Sequence, residues 1–323
     1  MNPSRNLTDL PLEVHPHIGL AFAFHNSKRL QKLKIAYLNV KELSVVLQLC
    51  GSSVNHIDGS IVLCDELKLV EQHCPNLQFI ELVVSNENLN GIKSLLTKVR
   101  SLISMTLNTT PIWHRLGIVE LLKLQPSLRR LHLRRFCGEE LFEVRNLVNL
   151  EELIIDYSLD ESFNIHVLCY RLKKLRTLHV QCLSFTVSKE FGKVACPALT
   201  ELKLCNPGFG WQAWRTSARD MLRWILSHAE TLEVLHLSLR IPYYEPDTDT
   251  CEILSECKRL RHFYMPIRTG NFDFAHRLIE IVSEKGKPLE LDFDNNMVHD
   301  QIRKLMDKTA AKHLITLGDH YYF

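Results

Sequence analysis

The chain lacks the motifs that carry common enzyme chemistry. It has no phosphate-binding Gly-x-x-x-x-Gly-Lys-Ser/Thr loop, no His-Glu-x-x-His, no Gly-x-Ser-x-Gly elbow and no dinucleotide glycine fingerprint. The glycine-rich stretch Asn206-Pro207-Gly208-Phe209-Gly210 has no accompanying lysine and reads as a turn. No Cys-x-x-Cys pair occurs, which argues against a structural zinc site. An excess of one charge is missing too. The 39 basic residues face 37 acidic ones, so no whole-chain field draws in nucleic acid or a membrane surface. Long apolar runs are also lacking. The run Ile18 to Phe24 is too short to cross a bilayer and has no basic leader, so a cytoplasmic or nuclear location is expected. In that setting the sequons at Asn6 and Asn108 stay unused.

What the chain does contain is a repeat. Leu-x-x-Leu-x-Leu, or a close variant, begins at Leu30, Val54, Leu77, Leu102, Leu128, Leu150, Leu175, Leu199, Leu232, Leu260 and Pro288. The copy at Val54 is weak because Gly59 takes the last core position, and the copy at Pro288 is doubtful. Successive starts lie 24, 23, 25, 26, 22, 25, 24, 33, 28 and 28 residues apart, the spacing of leucine-rich repeats. The fourth and sixth positions are two residues apart, so in a strand they share a face. One unit cannot bury its own leucines, but stacked units bury a continuous core. The expected fold is therefore α/β: a leucine-rich-repeat solenoid, or horseshoe, with parallel strands on the concave face and helices on the convex face. Helices are expected over 65–73, 215–228, 272–282 and 299–308, where apolar residues recur at three- and four-residue spacing. Although 323 residues would accommodate two domains, the unbroken repeat favours one solenoid over 27–323, preceded by a short segment, 1–26.

The ten cysteines fit this frame better than a disulfide framework. Cys74, Cys196 and Cys257 each stand three residues before the first leucine of a repeat, and Cys50 stands four before. This recurrence predicts small buried thiols inside the coil.

The junctions His73-Cys74-Pro75-Asn76-Leu77 and Ala195-Cys196-Pro197-Ala198-Leu199 resemble those of cysteine-containing leucine-rich repeats, and the N-terminal Leu7-Thr8-Asp9-Leu10-Pro11-Leu12-Glu13-Val14 resembles the first helix of an F-box. Together they are similar to the F-box proteins of the leucine-rich-repeat class. The resemblance implies a recognition subunit of an SCF-type cullin ubiquitin ligase. Leu10, Pro11 and Val14 would contact a Skp-type adaptor, and the solenoid would hold a protein substrate. The closing Cys-x-x-Trp-type helix of an F-box is missing, since no tryptophan precedes Trp113, so the module reads as truncated or degenerate. The alternative for 1–26 is a cap on the first coil. The alternative for the whole chain is a ligase-independent binding or inhibitor protein.

Candidate contact residues fall in two groups. Arg130, His132 and Arg134 make a basic stripe on one strand, and Glu152 and Asp156 on the next strand offset part of it. Glu290, Asp292 and Asp294 form an acidic end. Such mixed charge suits a protein partner more than a phosphate backbone. His132, His179 and His236 share a column, but alternate strands set them ~10 Å apart, too far for one zinc ion. The second group lies where the period lengthens: Phe209, Trp211 and Trp214 after one strand, Tyr243 and Tyr244 after the next. Long insertions in repeats mark binding faces, and aromatic residues anchor interfaces. No cofactor, metal, nucleic acid or membrane is expected. The protein is expected to act as a non-catalytic monomer within a complex.

Overall fold

The computed structural model describes residues 30–35, 38–109, 118–136, 141–158, 163–182, 185–187, 196–205, 218–238, 246–265, 272–293 and 296–318. The chain divides into two compact units, Met1–Phe136 and Cys137–Phe323. In the first, β1 (Lys32–Lys34), β2 (His56–Ile61), β3 (Phe79–Val84), β4 (Ser104–Thr109) and β5 (Arg130–Arg134) lie side by side in chain order, joined by parallel pairing. In the second, β6 (Glu152–Ser158), β8 (Thr177–Cys182), β10 (Glu201–Cys205), β11 (Val234–Ser238), β12 (His262–Met265), β13 (Leu289–Phe293) and β14 (Ile315–Leu317) do the same. There β7 (Phe163–Asn164) and β9 (Phe185–Thr186) form a separate parallel pair. Each unit is a run of leucine-rich-repeat coils.

The register follows from the motif. Met105 faces Ile80 and Leu131, while Leu178 faces Leu153 and Leu202. All of these side chains are buried, as their shared face requires. Backbone hydrogen bonds lock one coil to the next. The N–H groups of Gln78 and Phe79 both donate to Asn55 O, those of Ile103 and Ser104 to Gln78 O, and those of Thr200 and Glu201 to Arg176 O. A second recurring bond closes the turn before many of the strands. The first leucine of the motif donates its N–H to the carbonyl three residues back, as in Leu77 to Cys74, Leu128 to Gln125, Leu199 to Cys196 and Leu260 to Cys257.

That turn explains the cysteines. Cys74, Cys196 and Cys257 are fully buried, and Cys50 nearly so, as their register predicts. Burial raises the Cys74 and Cys257 thiols to about 12 and Cys50 to about 11, which keeps them protonated. Gln125 occupies the same slot without a thiol, and the donor side of its amide finds partners while Oε1 has none among the described residues. Its Nε2 donates to Leu96 O at 2.7 Å and Val99 O at 2.9 Å.

Helices lie between the strands. Those expected over 65–73, 272–282 and 299–308 are Cys64–His73, Phe272–Lys285 and Asn296–Met306, and within 215–228 the helix is Ala218–Leu226. Val40–Cys50, Leu89–Lys98, Ile118–Lys123 and Pro246–Glu256 are further helices that the repeat pattern did not single out. Val40–Cys50 begins with a capping box. Asn39 Oδ1 accepts from the N–H groups of Lys41 and Glu42, and Glu42 Oε2 accepts from Asn39 N–H. Leu43, Val46, Leu47 and Cys50 then form its buried stripe.

Three details depart from the repeat as read. In the weak copy at Val54, Gly59 takes a positive φ of 125° and the register of β2 shifts, so Ile61 rather than Gly59 fills the core position beside Leu82. A glycine offers no side chain to the core, and the bulge replaces it with one that does. The doubtful copy at Pro288 is a full strand, with Leu291 and Phe293 buried opposite Phe263 and Met265. Beyond it β14 adds another strand, where Leu317 faces Leu291.

Candidate functional site

The alternate positions of the strands, those the core does not use, form a strand face in each unit. In the first unit it carries the expected basic stripe: Arg130 is exposed, and His132 and Arg134 are partly so. Arg134 Nε donates to His132 Nε2 at 3.3 Å, and its Nη1 lies 3.7 Å from Glu81 Oε1. Glu81 is on β3, across β4, and also accepts a hydrogen bond from Ser60. At the other edge Lys32 pairs with Asp58 at 3.0 Å, which holds the Asp58 carboxyl below its usual range. Between these charges the His56 and Phe79 rings stack with centroids 5.2 Å apart.

The second unit repeats this plan with different residues. Glu201 Oε1 lies 2.9 Å from both His179 Nε2 and Lys203 Nζ. These partners outweigh burial and pull the Glu201 carboxyl down to about 2, chiefly through the His179 hydrogen bond. Of the expected column, His179 and His236 stand in register on either side of Lys203. His236 stacks on Tyr264 with centroids 4.0 Å apart and planes within 17°. Burial, and then the charges of Lys203 and His179, lower its imidazole to about 4. It is therefore a neutral aromatic ring near pH 7. At the expected acidic end Glu290 meets His262 at 2.7 Å.

Phe79 and Tyr264 were missed in reading the sequence residue by residue. Their signal is visible only after aligning the strands, because each stands in the same column as a histidine on the adjacent strand. The candidates Leu10, Pro11, Val14, Phe209, Trp211, Trp214, Tyr243 and Tyr244 lie outside the described residues, as does Asp294. The site geometry thus rests on Arg130, His132 and Arg134 in one unit and on the His179 to Tyr264 column in the other. Among the described residues no group of His, Cys, Asp and Glu is placed to hold a metal ion, and no helix is long and apolar enough to cross a membrane. A buried cluster joins Cys169, Cys196 and His228, where Cys196 N–H approaches His228 Nε2 at 3.4 Å and Cys196 Sγ donates to Cys169 O at 3.6 Å. All three residues are sealed from solvent, which suits packing rather than catalysis.

The chain matches no protein-family model and no curated protein. Among solved structures it is similar to a TLR13–ssRNA13 complex, at 13% identity and TM-score 0.39, over 83% of this chain and 44% of that one. It is also similar to the Toll–Spatzle complex of Drosophila development and innate immunity, at 14% identity and TM-score 0.38, over 80% of this chain and 41% of that one. The chain spans less than half the length of either.

Proposed function

We propose that this protein is a non-catalytic recognition subunit that holds a protein partner on the strand faces of its leucine-rich repeats and delivers it to a cullin-type ubiquitin ligase. The observation that carries the recognition reading is the strand face itself. Positions free of any duty to the core bear charges of both signs and flat ring pairs in preset geometry. The His179–Glu201–Lys203 set and the His236–Tyr264 stack are examples. Charges already fixed by their neighbours lose little freedom on binding, and a mixed pattern selects a complementary protein surface. Two ring pairs offer apolar area of the kind that anchors interfaces. The aromatic extensions with Phe209, Trp211, Trp214, Tyr243 and Tyr244 would add to that area.

The ligase half of the proposal rests on the F-box-like wording around Leu10, Pro11 and Val14. The second reading is a binding protein that has lost adaptor recruitment, and it is favoured by the missing Cys-x-x-Trp-type closing helix, since no tryptophan stands between Val14 and Trp113. Affinity purification of the chain from native cells separates the two. Adaptor and cullin in the complex, lost on Leu10→Ala/Pro11→Ala/Val14→Ala while the melting temperature holds, would support the ligase. A stable protein partner without adaptor or cullin would leave only the binding reading. Retention of that partner by Lys203→Glu/Tyr264→Ala would move recognition away from the strand face.

A further inference from the structure

The first helix, Val40–Cys50, carries two apolar residues outside its buried stripe. Val45 is 44% exposed and Leu49 is 53% exposed. Their place in the repeat shows which way they face. They stand five residues and one residue before Cys50, as Ser94 and Lys98 do before Val99, two coils further on. Ser94 and Lys98 both donate hydrogen bonds to the Glu71 carboxylate on the preceding helix, Cys64–His73. His73, one residue before Cys74, also abuts the coil before it, since a Cβ on Gly51 would come within 2.8 Å of His73 Cβ. In the second and third coils, these positions therefore face the preceding coil.

In the first coil the same positions hold a valine and a leucine, and among the described residues β1 pairs only with β2. The end of a stacked array exposes side chains that elsewhere meet a neighbour, so it needs a cover. Two half-exposed side chains offer far less than the ~800 Å² per partner of a stable association between separate molecules. A tethered segment needs much less area, because the chain holds it at a high effective concentration. The stretch before Leu30 contains one segment suited to the task. Ile18-Gly19-Leu20-Ala21-Phe22-Ala23-Phe24 has no polar or charged side chain. Its large residues alternate with glycine and alanine, a spacing that puts all four large side chains on one face of an extended chain. The six steps from Phe24 to Leu30 reach up to ~20 Å, about twice the ~8–10 Å between neighbouring packed helices.

We propose that the exposed face of Val40–Cys50 is a docking surface for this chain's own segment Ile18–Phe24, which packs on Val45 and Leu49 and closes the first coil. The run is then part of the solenoid, and its apolar residues are not free to enter a membrane or a partner. The cover also lies beside β1, where backbone groups at a sheet edge would otherwise pair with another chain. Leu10, Pro11 and Val14 fall outside the covering segment, so the cover is compatible with either reading of the protein's function. It is independent of the strand-face proposal, because neither Val45 nor Leu49 belongs to a strand.

The test uses the whole chain. Leu49→Asp should lower the melting temperature by about 3 °C or more, because it sets a charge in an apolar contact. Leu20→Asp/Phe22→Asp should lower it comparably. All three changes together should lower it no further than the larger of the two losses, because both remove the same contact. Hydrogen exchange across Val40–Cys50 should quicken in both variants. Val148→Asp, at a residue of matching exposure (52%) in the second unit, is the control and should stay within about 1 °C of the parent chain. An unchanged melting temperature in either variant would overturn the cover, and losses that add would overturn the pairing of segment and helix. A photo-crosslinker in place of Leu49 gives a reading that does not depend on stability. It should capture residues 18–24 within one chain. Capture of a second copy, of another segment or of nothing would overturn the proposal.

Discussion

Leu153 and Ile154 are neighbours on β6 with opposite duties, and replacing each with aspartate tests the register directly. Leu153 is fully buried and faces Leu178, whereas Ile154 is partly exposed on the strand face beside His179. Removing the leucine side chain alone costs ~2–5 kcal/mol, because the packed coils cannot collapse fully around the space. A carboxylate in its place adds the penalty of a buried group with no partner, taking the total beyond ~5 kcal/mol. A domain's entire stability is ~5–15 kcal/mol, so Leu153→Asp should barely fold or not fold. If it folds, the melting temperature should fall by ~10 °C or more, at ~2–4 °C per kcal/mol for a unit of this size. Ile154→Asp should stay within ~1 kcal/mol. Urea unfolding followed by circular dichroism would compare midpoints at constant slope. The opposite result, a tolerated Leu153→Asp with a crippled Ile154→Asp, would show that the strand is turned over by one residue and would refute the register.

His236 should make the fold acid-sensitive. Its imidazole is held near 4 in the fold against an ordinary 6.5, so the unfolded chain takes up the proton first. Its stabilising effect is therefore complete above pH 6.5 and is lost as pH falls toward 4, and His236→Phe should flatten the stability curve in that window while keeping a ring beside Tyr264. An equally steep curve in the variant would assign the effect elsewhere. Glu201, drawn down to about 2, acts at lower pH: its contribution is present above 4.5 and is lost as pH falls through 2, so Glu201→Gln should flatten the acid limb there. Asn88 is nearly buried, and its side chain accepts from Ser85 N–H at 2.9 Å and donates to Val62 O at 2.9 Å and Val83 O at 2.7 Å. Asn88→Ala should cost roughly 2–4 kcal/mol by denaturant titration, since three backbone groups lose their partner, and a loss under ~0.5 kcal/mol would mean that water replaces it.

The inward residues were legible because one physical rule selects them all. A strand two residues per repeat deep, stacked on its copies, accepts only apolar side chains at the fourth and sixth positions. Leu131, Leu153, Leu178 and Leu202 are accordingly buried. The rule fails where a second constraint enters. Gly59 breaks the pattern because a bulge can shift the register and bring Ile61 into place, an option that spacing alone does not reveal. The last strand escaped notice because Ile315-Thr316-Leu317 is too short to show a period. The strand face was legible in charge but not in contacts. Arg130, His132 and Arg134 announce themselves as a stripe, yet the acid meeting Arg134 is Glu81, more than 50 residues earlier in the chain and two strands away. Cross-strand neighbours depend on register, and register is known only once the coils are stacked.

The same stacking rule explains why recognition and core need not compete here. Each coil contributes its apolar fourth and sixth residues to a shared interior, and the intervening residues are left outside that interior. A histidine can then stack on the next coil's tyrosine, or a glutamate sit between a lysine and a histidine, at no expense to the leucine column behind them. The helical side has a different freedom, set by length rather than by alternation. A coil closes whether its return segment is a fourteen-residue helix, as at Phe272–Lys285, or a five-residue one, as at Ile165–Cys169. Two short segments follow one another at Phe142–Asn146 and Ile165–Cys169, and a cavity lined in part by Arg145 and Arg171 lies between them. A cavity of this kind arises from the difference between neighbouring repeats, so a consensus of the repeats averages it away.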